Sequence, residues 1–212
     1  MLKTNRWLPI VCGVVLTLAL SSASALAALS FSWSLGSSDA TLAETLLIGA
    51  ASLYFGLDSK ISAQYQSDTG SATSTVSALF LAGESQTSPD IIIADRQKGR
   101  GWGALAKGKM PPGLVKKWKG GADPFAYNDA DFETGVSIQF LSTYYSVPAD
   151  SITLWVKQGL SVSDVAVVLN LSSRANVKPT VIVEARLKGD SWTRLAARYR
   201  ISIELLKEPV PP

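Results

Sequence analysis

Apolar residues recur at helical spacing along most of the chain. One stripe follows Ser161 and consists of Val162, Val165, Ala166 and Leu169. Its members are three or four residues apart, which places them on one face of an amphipathic helix. Ser161 is suited to cap this helix, and Asp164 lies where a capping box needs its acid. A longer apolar run, residues 41–57, is interrupted by Glu44 and Ser52, so it is predicted to form a core helix rather than a membrane span.

The sequence also contains residues that are typical of helix N-termini and C-termini. Ser88 is a candidate N-cap, and Pro89 and Asp90 suit a first helical turn, where unpaired N–H groups and the positive end of the helix dipole lie. Lys98–Gly99 and Lys188–Gly189 are typical of helix C-termini. A second apolar stripe consists of Trp192, Leu195, Ala196 and Tyr199. These signals predict an all-α fold built from units of three to four short helices.

The chain repeats itself at an offset of 90 residues, which aligns RQKGRGWGALA (96–106) with RLKGDSWTRLA (186–196). The matched positions are Arg96 and Arg186, Gly99 and Gly189, Trp102 and Trp192, Leu105 and Leu195, and Ala106 and Ala196. We take these residues as structural repeat positions. The two tryptophans are predicted to be core residues, because they share a helical stripe with leucine and alanine. The alignment predicts a tandem duplication with core repeats 54–113 and 144–203.

The first 27 residues have the layout of a secretory signal peptide. Basic residues precede an apolar run over about residues 8–20, and small residues then lead to the triplet Ala25–Ala27. Cleavage after Ala27 would export the protein, to the periplasm or the extracellular space. The remaining chain divides into an N-terminal helical unit 28–116, a linker 117–135 rich in glycine and aspartate, a C-terminal helical unit 136–208 and a proline-rich tail 209–212.

The repeat resembles that of exported bacterial helical-repeat proteins that carry the motif R-x-x-G-x-[GS]-W-x-x-[IL]-A. Both copies carry this motif, at 96–106 and 186–196, and the resemblance covers most of the chain after the signal peptide. It implies an all-α fold and export, and it implies no activity.

Two other resemblances are weaker. Residues 189–202 are similar to the LysM cell-wall module, which would make TVIVEARL (180–187) a β-strand and the protein a peptidoglycan- or glycan-binding one. The first copy disagrees, because its SPD signal (88–90) predicts a helix at the matching position. QGLSVSDVAVVLNLS (158–172) is similar to the start of a helix-turn-helix, but an exported chain is not expected to meet nucleic acid.

Composition limits the chemistry. The chain has no histidine and a single cysteine, Cys12, inside the signal peptide. This excludes disulfides, thiolate metal sites and histidine-based catalysis from the exported chain. We therefore expect no catalytic residues, no metal and no cofactor, with a carboxylate-dependent glycan-acting enzyme kept as an alternative. The carboxylates of Asp129, Asp131 and Glu133 alternate as in a calcium loop, but they lack its glycine and distal glutamate, so they are predicted to form a solvated acidic linker.

Charge is unevenly distributed. Residues 96–119 contain eight lysines and arginines and no acid, whereas residues 28–95 contain one lysine and seven acids. The candidate ligand-binding residues are Arg96, Lys98, Arg100, Lys116, Lys117, Trp118 and Lys119. Such a segment attracts anionic partners, and we expect an envelope polymer, a membrane surface or another envelope protein. Two alternatives stay open: a solvated charged face without a partner, and neutralisation by the acidic stretch 28–95.

Overall fold

The chain folds into helices joined by short turns. The computed structural model describes residues 38–107, here called the first half, and 128–212, the second half. Eleven helices and no strand lie within these ranges. The first half contains α1 Asp39–Phe55, α2 Ser59–Thr69, α3 Ala72–Ser85, α4 Pro89–Gln97 and α5 Trp102–Ala106. The second half contains α6 Asp129–Tyr145, α7 Ala149–Lys157, α8 Val162–Ala175, α9 Pro179–Leu187, α10 Trp192–Arg198 and α11 Ile203–Lys207.

The local signals in the sequence determine where these helices begin and end. Ser161 caps α8 in a full capping box with Asp164, and Ser88 caps α4, which has a proline in its first turn. Gly99 and Gly189 follow the ends of α4 and α9, and their φ angles are 85° and 96°. Residues with a Cβ rarely adopt this backbone conformation. The predicted helix starts and ends are therefore confirmed.

Helix positions recur in the two halves. The bounds of α1 and α6, and those of α3 and α8, differ by 90 residues at both ends, and α4 and α5 begin 90 residues before α9 and α10. The helix at 39–55 extends this correspondence upstream of the core repeat predicted to begin at residue 54. Each half contains more helices than the predicted three or four, because short segments such as Trp102–Ala106 form separate helices after tight turns.

The first helix of each half packs mainly on the other half. Helix α1 makes its most extensive contact with α8, and α6 makes its most extensive contact with α3. Near their C-terminal ends, α1 and α6 also meet, with the rings of Tyr54 and Tyr144 centred 6.3 Å apart. These two tyrosines occupy matching positions, as expected close to a pseudo-twofold axis. The predicted units 28–116 and 136–208 thus share one core across their described residues.

The core contains the apolar stripes that define the helices. Trp102, Leu105 and Ala106 are buried, as are Trp192, Leu195 and Ala196, so these repeat positions are core residues as predicted. The predicted core helix over 41–57 corresponds to α1, which buries Leu46 and Leu47. Residues 180–187 lie in helix α9, so the strand that the LysM alternative requires is absent there.

One boundary needs correction. Residues 129–135 were predicted to belong to a linker and instead form the first turns of α6, where Asn128 supplies the N-cap. The turn-forming composition of this stretch marks the entry to a helix, because asparagine and aspartate also favour helix starts. The predicted signal peptide 1–27 and linker residues 117–127 lie outside the described residues. Among the helices within residues 38–107 and 128–212, none combines the length and the hydrophobicity that a membrane-spanning helix needs.

Candidate functional site

The motif of the first half forms a cluster with the start of α6. The guanidinium of Arg96 lies 4.4 Å from the centre of the Trp102 ring, and its Nη1 donates to Asp129 Oδ2 at 2.7 Å. The other carboxylate oxygen of Asp129 accepts from the backbone N–H of Trp102 at 2.7 Å. Asp129 thus binds both the arginine and the tryptophan of the motif. Since it is the first residue of α6, it also lies at the positive end of that helix.

Glu133 completes this first cluster from one helical turn further along α6. Its Oε1 accepts from the Trp102 indole Nε1 at 2.7 Å and from the Ser74 hydroxyl at 2.5 Å. Its Oε2 accepts from the Thr73 hydroxyl at 2.9 Å. Three side-chain donors from the first half therefore converge on one carboxylate of the second half. A carboxylate so fully bonded serves as an internal acceptor for otherwise unpaired donors.

The motif of the second half forms the reciprocal cluster with the start of α1. Arg186 lies 4.6 Å from the centre of the Trp192 ring and donates to Asp39 Oδ2 at 2.6 Å. Asp39 Oδ1 accepts from the backbone N–H of Trp192 at 3.3 Å. Asp39 and Asp129 are 90 residues apart in the sequence. In each half, the first helical residue therefore binds the motif of the other half.

The two clusters differ in the source of one carboxylate. In the second cluster, Trp192 Nε1 donates to Asp164 Oδ1 at 3.0 Å, and Asp164 lies on α8 of the same half. The position matching Asp164 is Ser74, and the position matching Glu133 is Ala43. The acid that binds the indole therefore comes from the other half in the first cluster and from the same half in the second cluster. In each case the alternative position holds a small residue, Ser74 or Ala43. Both arrangements satisfy the buried indole N–H.

The basic candidate residues divide into two groups. Arg96 belongs to the first cluster, whereas Lys98 and Arg100 both pair with Asp95, at 3.4 and 2.6 Å. Their side chains stay 71% and 50% exposed, and Lys107 is also exposed. Two accessible cations therefore share one acid. Lys116, Lys117, Trp118 and Lys119 lie outside the described residues.

A small polar cleft lies beside the first cluster. Its volume is about 100 Å³, and it is lined by Asp68, Thr69, Ser74, Arg96, Gln97 and Trp102. Helix α2 ends at Thr69, whereas α7 of the second half ends at Lys157, two residues earlier in the repeat. The longer α2 therefore supplies one wall of this cleft. Three members of the first cluster, Ser74, Arg96 and Trp102, border this space, and the side chain of Trp102 is buried.

Asp129, Asp131 and Glu133 were predicted to form a solvated acidic linker. These three residues instead lie in the first turns of α6, and Asp129 and Glu133 bind the first half. No group of acids among the described residues is arranged to hold a metal ion.

Sequence reasoning found Arg96, Arg186 and the tryptophans but missed their carboxylate partners. The signal was present, since Asp39–Ala40 and Asp129–Ala130 match at the offset of the repeat. Each aspartate also follows a residue suited to cap a helix, Ser38 or Asn128. Comparisons with protein-family models, curated proteins and solved structures find no match to this chain.

Proposed function

We propose that the protein is an exported, non-catalytic binding or structural protein of the cell envelope, which contacts an anionic partner through its basic segment 96–119. The observation that carries this proposal is the shared use of Asp95 by Lys98 and Arg100. Because one carboxylate faces two largely exposed cations, positive charge remains at the end of α4. The rest of the segment adds further lysines and no acid.

A non-catalytic role is supported by what the repeated motif does. Arginine, tryptophan and their carboxylates bind one another across the two halves, so their polar groups are already used in holding the fold together. Export is supported by the sequence of residues 1–27. The anionic partner is an acidic polymer, a lipid headgroup or an acidic protein surface outside the cytoplasm.

We also infer that the two halves arose by tandem duplication of a unit that paired with itself. The recurring helix bounds and the reciprocal bonds of Asp39 and Asp129 support this inference. In a self-paired dimer, each contact between two residues occurs twice with the partners exchanged. The present clusters have that form within one chain.

The binding role is tested by removing charge from the basic segment. Replacing Lys116, Lys117 and Lys119 by Ser should lower retention on vesicles of phosphatidylglycerol and phosphatidylcholine and weaken the salt dependence of that retention. Each basic residue near an anionic surface contributes about 1 kcal/mol. The matched control replaces Lys157, Lys178 and Lys188, which are exposed on the second half, by Ser.

The control removes the same charge from a different region. Retention that falls only in the first variant, with an unchanged Tm, supports the basic segment as the binding surface. Equal loss in both variants would indicate a response to net charge alone, and unchanged retention in both would contradict the proposal. An amino-terminal sequence beginning at residue 28 in the natively expressed protein tests export separately.

A further inference from the structure

Residues 206–210 are held by side chains of two helices, α6 and α8. Asn170 of α8 is fully buried, and its amide Nδ2 donates to the backbone carbonyls of Leu206 at 3.0 Å and of Glu208 at 3.1 Å. Its carbonyl Oδ1 accepts from the backbone N–H of Val210 at 2.8 Å. The Asn170 side chain therefore forms hydrogen bonds to three backbone groups of the same segment.

Two further side chains add to this recognition. The hydroxyl of Tyr144 donates to the carbonyl of Val210 at 2.8 Å, and Nη2 of Arg174 donates to the carbonyl of Glu208 at 2.6 Å. The Glu208 carbonyl thus accepts from both Asn170 and Arg174. Helices α6 and α8 together form the polar side of a groove around the segment.

The apolar side of the groove receives Pro209. This proline is buried, and a Cβ added at Gly49 of α1 would lie 3.3 Å from its Cδ. A side chain at position 49 would therefore press on the ring. Pro209 needs no backbone hydrogen bond, because its nitrogen carries no hydrogen. The segment thus alternates hydrogen-bonded backbone with a buried proline ring, as in recognition of extended proline-containing peptides.

The groove residues differ from their repeat equivalents. The positions matching Gly49, Asn170 and Arg174 in the repeat are Gln139, Phe80 and Glu84. Each of the three residues favours binding of the segment. Gly49 has no side chain and leaves room for Pro209, and the Asn170 amide bonds to the backbone of the segment. Arg174 places a cation beside the Glu208 carbonyl, where the matching position holds an acid. The groove is therefore a specialised feature rather than a consequence of the repeat.

We propose that this groove, formed by Gly49, Tyr144, Asn170 and Arg174, is a peptide-binding site that also accepts residues 206–210 of a second copy of the chain. Helix α11, which contains the start of the segment, is joined to α10 by a short turn in which Arg200 has φ of 59°, a left-handed conformation that is unfavourable for arginine. Release of α11 and the segment would allow Arg200 to leave this conformation. Exchange between two copies then restores every groove contact in trans, as in domain swapping.

Two complementary full-length variants test the exchange. The acceptor carries Pro209→Asp and Val210→Pro, which charges the buried ring position and removes the N–H bound by Asn170, so its groove is vacated. The donor carries Gly49→Gln and Asn170→Leu, which fills the groove and removes its amide, while its own segment stays intact.

Light scattering after size-exclusion chromatography measures the mass of each variant alone and of the two mixed. We expect each variant alone to be monomeric and the equimolar mixture to contain a species of twice the mass. The unmodified chain should need at least about ten-fold higher concentration for the same association, because its own segment competes at a high effective concentration. A mixture of folded variants that stays monomeric at about 1 mM, the concentration scale of a short tether, would overturn the proposal.

A measurement on an otherwise native chain applies if either variant fails to fold. A spin label at Pro211→Cys, in a Cys12→Ser background, reports whether the segment leaves the groove. Excess peptide of residues 203–212 should raise the mobility of the label, and the same peptide with Val210→Pro should not. Equal responses to the two peptides, or no response to either, would contradict recognition of the segment by the groove.

Discussion

The carboxylate of Asp39 lies 2.6 Å from Nη1 of Arg186, and 147 residues separate them in the sequence. Asp129 and Arg96 repeat this contact at 2.7 Å in the opposite direction across the molecule. In each case the aspartate also accepts from the backbone N–H of the motif tryptophan. The first helix of each half is thereby fixed at the start of a short helix of the other half.

Loss of either aspartate should destabilise the whole described fold. We expect Asp129→Ala to lower the free energy of unfolding by about 2–3 kcal/mol, because it removes the carboxylate partner of a partly buried guanidinium and the acceptor of a backbone N–H. Asp39→Ala should cost less, about 1–2 kcal/mol, because Arg186 keeps a second carboxylate, Asp164 Oδ1, at 3.3 Å. Chemical denaturation measures this. Asp150→Ala is the control, since Asp150 is an exposed acid in the first turn of α7, and its effect should stay within about 0.5 kcal/mol. Equal effects in all three variants would argue against the clusters.

The indole acceptor of the first cluster should be transferable between helices. Glu133→Ala is expected to cost about 2–3 kcal/mol, because Trp102, Ser74 and Thr73 all donate to that carboxylate. Adding Ser74→Asp reproduces the arrangement of the second cluster and should recover more than half of the loss. The double variant is compared with Glu133→Ala by urea denaturation, and a double variant no more stable than the single one would contradict this explanation.

The glycines after α4 and α9 should be sensitive to any side chain. Gly99→Ala and Gly189→Ala are each expected to lower stability by about 1 kcal/mol through backbone strain alone, because no atom lies within 4 Å of the added Cβ. Gly83→Ala is the matched control and should raise stability by about 0.5–1 kcal/mol, because Gly83 lies within helix α3. Thermal unfolding of the three variants reports both signs. Stabilisation by Gly99→Ala or Gly189→Ala would contradict the left-handed turn.

Alkaline pH should weaken the contact between Tyr144 and the segment 206–210. Burial raises the pKa of Tyr144 from 10.0 to about 12. Since the folded pKa is the higher one, the neutral phenol contributes stability that is present below pH 10 and lost as the pH rises through about 12. Ultraviolet absorbance of tyrosinate should contain a component near pH 12 that Tyr144→Phe removes and Tyr199→Phe retains, whereas burial raises the pKa of Tyr145 still further, so Tyr145 ionises above that component. A component near pH 12 that Tyr144→Phe leaves unchanged would contradict this assignment.

Local features of the fold could be predicted from the sequence, whereas contacts between distant segments could not. Ser161, Pro89 and the stripe beginning at Val162 act within one or two helical turns, so their roles follow from spacing and composition. Asp39 and Asp129 could be matched through the repeat, but spacing gives no information on which half each aspartate contacts. Asp129 also follows a glycine- and proline-containing stretch, which favoured a linker. Asn170 has a buried role that becomes evident only when residues 206–210 pack beside α8.

The central claim is that each half is completed by the first helix of the other, and a double-mutant cycle tests it most directly. The cycle measures unfolding free energies for the native chain, Asp39→Ala, Arg186→Ala and the double variant. A second cycle combines Asp39→Ala with Arg96→Ala in the same way. We expect a coupling energy of about 1–3 kcal/mol for Asp39 with Arg186 and less than about 0.5 kcal/mol for Asp39 with Arg96. Coupling of Asp39 to Arg96, in its own half, and not to Arg186 would contradict the exchange of first helices.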